Sequence, residues 1–121
     1  MKITKFEELW IWQQSRQLVK DVYIDFGEGT AAERDYGFKD QIQRAGVSVM
    51  NNIAEGFEKN SSNQEFARYL DISKGSCGEV RSMYYVAEDL GYISIELAAE
   101  RRNKMSQICA GIFSLRQQLK T

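Results

Sequence analysis

The sequence predicts an all-α protein, an antiparallel up-and-down four-helix bundle whose helices cross with a left-handed twist. Apolar residues recur at steps of three and four along most of the chain, which is the spacing that places them on one side of a helix. The 121 residues include no proline, the residue that most often breaks a helix. Short polar segments separate the periodic stretches, and short links favour antiparallel neighbours. The length suits one domain, residues 1–121.

The first two helices are predicted over residues 6–26 and 35–58. The first places its large apolar residues on one broad face: Leu9, Trp12, Val19, Val22 and Tyr23. Gly27 and Gly29 lie in the segment that ends it. Asp35 has the side chain of a helix N-cap, so the second helix is expected to start there.

The third and fourth helices are predicted over residues 63–90 and 94–119. The third has a seam at alternating steps of four and three: Phe66, Leu70, Ser73, Cys77, Val80, Tyr84 and Ala87. Gly91 ends it, and Ser94 can cap the fourth helix. The fourth repeats the rhythm at Met105, Ile108, Ile112, Leu115 and Leu119.

A polar strip runs along the second helix beside its apolar face. It consists of Gln41, Arg44, Ser48, Asn52 and Glu55, and the third helix adds Ser73, Ser76 and Glu79. We expect these eight residues to form a buried hydrogen-bonded network that fixes helix pairing, because buried polar groups need partners. Arg44→Ala and Asn52→Ala should then both destabilise the fold. The alternatives are a subunit interface and a ligand pocket.

The composition excludes most enzyme mechanisms. The chain has no histidine, so imidazole acid–base catalysis and nucleophile–histidine pairs are absent. No catalytic residue, metal site or cofactor is expected. Cys77 and Cys109 fall on predicted helices and are expected to be free thiols. With no signal peptide and no long apolar run, the expected location is cytoplasmic, with no membrane partner.

The 16 basic and 17 acidic residues nearly cancel, but the last 21 residues are basic. They contain no acid and five cations: Arg101, Arg102, Lys104, Arg116 and Lys120. These cations can be interpreted in two ways. The first is a solvated helix face, and the second is a candidate nucleic-acid-binding surface, whose positive charge would be multiplied by the copies of the helix in an oligomer. Either reading has these side chains exposed. The aromatic residues exceed what a small bundle readily hides, so some are expected in a subunit interface: Trp10, Trp12, Tyr69, Tyr84, Tyr85 and Tyr92.

Several sequence blocks resemble one protein family, at its spacing and in its order. They are Phe6-Glu7-Glu8-Leu9-x-x-Trp12-Gln13, Tyr36-Gly37-Phe38-x-x-Gln41-Ile42-x-Arg44-Ala45, Ser48-Val49-x-x-Asn52-Ile53-Ala54-Glu55-Gly56, Glu65-Phe66-x-x-Tyr69-Leu70, Ser73-x-Gly75-Ser76-x-x-Glu79 and Leu90-Gly91-Tyr92-Ile93. These blocks are similar to those of the bacterial 23S rRNA intervening-sequence proteins. The match covers residues 6–93; the fourth helix agrees only in pattern.

The resemblance implies an antiparallel four-helix bundle assembled as a homopentamer around a central channel. It also implies kinship with the accessory variability protein of diversity-generating retroelements, which partners a reverse transcriptase and binds nucleic acid through a basic surface. The chain departs from the family in two ways. Met50 stands where the family usually has proline, and the chain is not basic as the retroelement relatives are.

The function expected from the sequence is therefore that of a non-enzymatic homo-oligomer associated with RNA, DNA or a nucleic-acid-processing protein through basic residues of the fourth helix. The alternative is a protein-interaction or scaffold module with no nucleic-acid role.

Overall fold

A computed structural model describes residues 2–59 and 61–119. Within these residues the chain forms four α-helices: α1 (Trp10–Phe26), α2 (Tyr36–Glu58), α3 (Asn63–Asp89) and α4 (Ile95–Gln118). The all-α prediction is confirmed. The predicted limits of α2, α3 and α4 lie within one residue of the observed ones.

The start of α1 differs most from its prediction. Residues Phe6–Glu8 form one turn of 3-10 helix, and Leu9 then adopts an extended conformation with φ −75° and ψ 126°. The α-helix therefore begins at Trp10 rather than at residue 6. The 3-10 turn holds Phe6 against the indole of Trp12, with ring centroids 5.1 Å apart.

Side-chain caps start the other three helices. Asp35 Oδ1 accepts a hydrogen bond from the Phe38 amide, Ser62 Oγ from the Glu65 amide and Ser94 Oγ from the Leu97 amide. Each satisfies a backbone donor that the first turn of a helix leaves free. Gly91, with φ +72°, makes the turn after α3. α2 runs unbroken through Met50, as expected where proline is replaced by a residue with a backbone N–H.

Successive helices are antiparallel neighbours. In α2 and α3, Ser48 meets Ser76 while Gly56 lies against Tyr69. Ile11 in α1 packs at Gly111 in α4, and the other end of α1 reaches Arg101. α1 thus closes the bundle against α4, giving the up-and-down order that short links favour. The handedness of the helix crossings stays a prediction.

Of the five residues predicted for the inner face of α1, only Val22 is buried, and Tyr23 is exposed. The seams predicted for α3 and α4 do line the core. Its fully buried large residues come from all four: Val22, Phe26, Ile42, Val49, Ile53, Leu70, Cys77, Val80, Tyr84, Met105, Ile108 and Ile112. Tyr84, one of the six aromatic residues considered for an interface, is fully buried in this core, where its ring packs 5.3 Å from that of Phe26. No helix of the described residues is long and apolar enough to cross a membrane.

Candidate binding surfaces

The polar strip lies along a groove between α2 and α3, with a volume of about 530 Å³. Ser48 Oγ and Ser76 Oγ are 2.7 Å apart across its floor. Asn52 Nδ2 donates to Ser48 Oγ at 3.0 Å and to the Ser48 carbonyl at 2.9 Å. Ser73, fully buried, donates from Oγ to the Val49 carbonyl at 2.7 Å. The bonds Ser48–Ser76 and Ser73–Val49 join the two helices, and Asn52 supports Ser48 from within α2.

The rims of the groove are exposed. Gln41 and Glu79 bond across it, from Nε2 to Oε2 at 3.2 Å, but both lie at the surface. Arg44, with a side chain 79% exposed, pairs with Asp40, and Glu55 pairs with Lys59, the residue that follows α2. The expectation of burial was therefore wrong for Gln41, Glu79, Arg44 and Glu55. Their positions on α2 and α3 point toward solvent, not toward the core.

The predicted basic surface is largely neutralised by ion pairs. Arg102 Nη1 lies 3.0 Å from Glu88 Oε1, with its guanidinium stacked 4.0 Å from the centre of the Tyr85 ring. Arg116 Nε bonds Asp71 at 2.8 Å. Lys104 Nζ lies over the Trp10 ring at 5.8 Å. The expected exposure was wrong for Arg102, Arg116 and Lys104, each half-buried along the seams of α4.

Arg101 makes more ion pairs than the other cations of α4 for which the structure shows pairs. Its Nε donates to Asp25 Oδ2 at 2.8 Å and its Nη2 to Asp25 Oδ1 at 3.1 Å, while Nη1 lies 3.4 Å from Asp21. The Tyr84 hydroxyl donates to the same Asp25 Oδ2 at 2.8 Å. Burial, followed by the nearby Asp25 charge, raises the pKa of Tyr84 above its usual value. The hydrogen bond to Asp25 raises the pKa of Arg101, so this guanidinium stays charged. Lys120 lies outside the described residues.

From the sequence, Asp21 and Asp25 were not recognised as partners of Arg101, and Tyr84 was not recognised as a hydrogen-bond donor to Asp25. One signal was available. Asp25 falls on the buried face of α1 with Leu18 and Val22, and a carboxylate on an apolar face needs a cationic or hydrogen-bonding partner.

The two cysteines are free thiols. Burial raises the pKa of Cys77 to about 12, so its thiolate is scarce at neutral pH. Among the described residues, no group of three or more Cys, Asp and Glu side chains is placed to hold a metal ion.

Comparison with known proteins places this four-helix chain in a family. Residues 7–114 match the family model of the 23S rRNA-intervening sequence protein. The chain belongs to that family.

A solved structure supports the same fold for this 23S rRNA-intervening sequence protein. It is a protein of unknown function from the S23 ribosomal protein family of Bacteroides thetaiotaomicron VPI-5482. The two chains superpose with a TM-score of 0.80 at 20% identity, covering 88% of this chain and 95% of the other. No protein of curated function gives a match. The shared architecture is therefore established, and the activity has to be argued from the surface.

Proposed function

We propose that this intervening-sequence protein is a self-associating scaffold rather than an enzyme. The observation that carries the proposal is a set of exposed large apolar side chains on α3 and on the residue that follows it. Ile72, Tyr85, Val86 and Leu90 are 49%, 53%, 43% and 55% exposed. The outer face of a helix in a monomeric bundle is usually polar, so repeated apolar side chains there favour contact with another protein surface.

Exposed aromatic side chains also occur on the other three helices. Trp10 and Tyr36 are also exposed, at 47% and 72%, and Phe113 on α4 is exposed beside Lys74. Trp and Tyr are enriched in protein interfaces. Free thiols at Cys77 and Cys109 fit a reducing compartment, which supports the cytoplasm as the location. The family resemblance implies an oligomer of five copies, and this number stays a prediction.

Light scattering tests self-association. At micromolar concentrations we expect a species of several times 13.9 kDa, because an interface between apolar helix faces is stable at such concentrations. Tyr85→Ser should lower the mass while far-ultraviolet circular dichroism keeps its helical signal. A monomer throughout the range would remove the proposal.

Nucleic-acid association is the second candidate, on a surface other than the one predicted. Arg16 and Lys20 follow each other on the exposed side of α1, where the Arg16 guanidinium lies 5.8 Å from the Trp12 ring centre. Lys104 lies over Trp10 near the same helix. Within the described residues none of these three cations has an ion pair. Cations interleaved with aromatic rings suit single-stranded nucleic acid, which binds by phosphate contact and base stacking.

Salt dependence tests this candidate. For single-stranded RNA, we expect the slope of log affinity against log salt to flatten by about two units when Arg16, Lys20 and Lys104 are all replaced by Gln. The matched control replaces Arg34, Lys74 and Arg81 by Gln. This variant loses the same three positive charges, but from other parts of the surface. If both triple variants flatten the salt dependence equally, Arg16, Lys20 and Lys104 do not form a specific binding site. If the parent does not bind single-stranded RNA even at low salt, this candidate function is wrong.

A further inference from the structure

We propose that Cys77 on α3 and Cys109 on α4 form a redox-active thiol pair, which a hydroperoxide converts into a disulfide within one chain. The pair lies on the seam between α3 and α4, and its chemistry does not depend on the proposed self-association. These are the two cysteines of the chain. The packing of α3 against α4 sets them opposite each other.

Contacts on both sides of Cys77 fix the level at which α3 meets α4. Toward the start of α3, Lys74 Nζ lies 5.0 Å from the centre of the Phe113 ring. Toward the end of α3, Arg81 Nη1 donates to Ser106 Oγ at 3.3 Å. The numbering advances by the same amount on both helices between these contacts, so this stretch of the antiparallel pair is in register.

Cys77 and Cys109 fall at nearly the same level of this register. Cys77 comes three residues after Lys74 and Cys109 four residues before Phe113, so they differ by one residue, a rise of about 1.5 Å. Cys77 Sγ lies 3.3 Å from the Met105 carbonyl oxygen. In an α-helix this carbonyl accepts the hydrogen bond of the Cys109 amide. The Cys77 side chain therefore reaches the turn of α4 that carries Cys109.

The surroundings of the two thiols differ. Cys77 is 1% exposed, whereas Cys109 is half-buried and packs against the core that contains Cys77. Burial, followed by the nearby Cys109 thiol, raises the pKa of Cys77 to about 12, and the charge of Arg81 acts in the opposite direction. The pair thus consists of one enclosed thiol and one thiol that is partly open to solvent.

The reaction begins at Cys109, because a reactive cysteine has to be accessible and Cys77 is enclosed. The Cys109 sulfur attacks one oxygen of the hydroperoxide and the O–O bond breaks. Cys109 becomes a sulfenic acid, and the leaving oxygen takes the thiol proton to give water or an alcohol. The Cys77 sulfur then attacks the sulfenic sulfur. The S–O bond breaks, and the leaving hydroxide takes the Cys77 proton as water.

The two thiols lose two electrons in these steps, and the hydroperoxide gains them. The product is a disulfide that joins α3 to α4 and closes the loop that contains the turn at Gly91. A cross-link of this kind restricts the unfolded chain. Oxidation would therefore hold α4 on the bundle, and reduction by a thiol would release the constraint.

Oxidation of the purified protein tests the pair. The reduced protein is treated with hydrogen peroxide, unfolded and alkylated with N-ethylmaleimide, and its intact mass is then measured. We expect a single chain that has lost two hydrogen atoms and carries no maleimide, and dithiothreitol should restore two alkylated thiols. The rate of disulfide formation should not depend on protein concentration, because both sulfur atoms belong to one chain.

Cys77→Ser is the matched variant, because serine keeps a hydroxyl donor for the Met105 carbonyl. Its Cys109 sulfenic acid would lack the second thiol, so dimedone, which labels sulfenic acids, should modify this variant and not the parent. Circular dichroism checks that the helices are kept. The pair is wrong if peroxide leaves both thiols of the parent open to alkylation, or if its disulfides join only different chains. Equal labelling of the parent and Cys77→Ser by dimedone would also overturn it, because Cys77 would then not react with Cys109.

Discussion

Arg101→Ala should lower the free energy of unfolding by about 3–5 kcal/mol, because it removes one partner of a buried ion pair. The substitution leaves the Asp25 side chain, which is 4% exposed, without its cationic partner. Only the Tyr84 hydroxyl would still donate to Asp25 among the contacts described above. Urea denaturation followed by circular dichroism measures the loss.

Arg44→Ala is the matched control. Its guanidinium is exposed and pairs only with Asp40, so we expect a change within about 0.5 kcal/mol. The sequence led to the reverse expectation, with Arg44 buried and Arg101 exposed. If the two alanine variants unfold at the same urea concentration, the Asp25 carboxylate does not depend on Arg101 and the account of this cluster is wrong.

Gly56→Ala should destabilise the protein by about 1–3 kcal/mol, although alanine is the better helix former. An added Cβ would lie 2.6 Å from Tyr69 Cβ and 3.1 Å from Phe66 Cδ1. Tyr69 Cβ is fixed to the α3 backbone, so the two helices would have to move apart. The same urea denaturation reads the effect.

Gly78→Ala is the control that separates the steric clash at residue 56 from the higher helix propensity of alanine. Gly78 is also inside a helix, but nothing lies within 4 Å of its Cβ position. There we expect no loss of stability, and a gain of up to about 1 kcal/mol. A Gly56 variant as stable as the Gly78 variant would contradict the close approach of α2 and α3.

The sequence predicted the helices well because their signals are local. The three-and-four spacing of apolar residues and the caps at Asp35 and Ser94 need no knowledge of distant residues. The start of α1 was missed because Phe6 and Leu9 continue the apolar pattern while the backbone at Leu9 is extended. The spacing of apolar residues predicts which side chains share one face of a helix. It does not reveal a single residue at which the backbone leaves the helical conformation.

The surface was harder to predict, because the partner of each charge depends on how two helices are set against each other. Arg101 meets Asp25 across 76 residues of sequence, and Arg116 meets Asp71 across 45. In the polar strip, Ser48 and Asn52 lie nearer the axis of the bundle than Arg44, although the helical wheel places all three in one strip. The exposed fraction of each of these side chains depends on how wide the groove between α2 and α3 is.

The position of Asp25 in the chain also bears on the lifetime of the native state. Helical bundles fold fast because most of their contacts are local. The bonds from Arg101 and Tyr84 to Asp25 join α1 to the second half of the chain and span 76 and 59 residues. Contacts that form after the folding barrier slow unfolding without speeding folding. This cluster should therefore lower the rate of unfolding and leave the rate of folding unchanged. In stopped-flow kinetics, the Arg101→Ala variant should unfold faster than the parent and fold at the same rate.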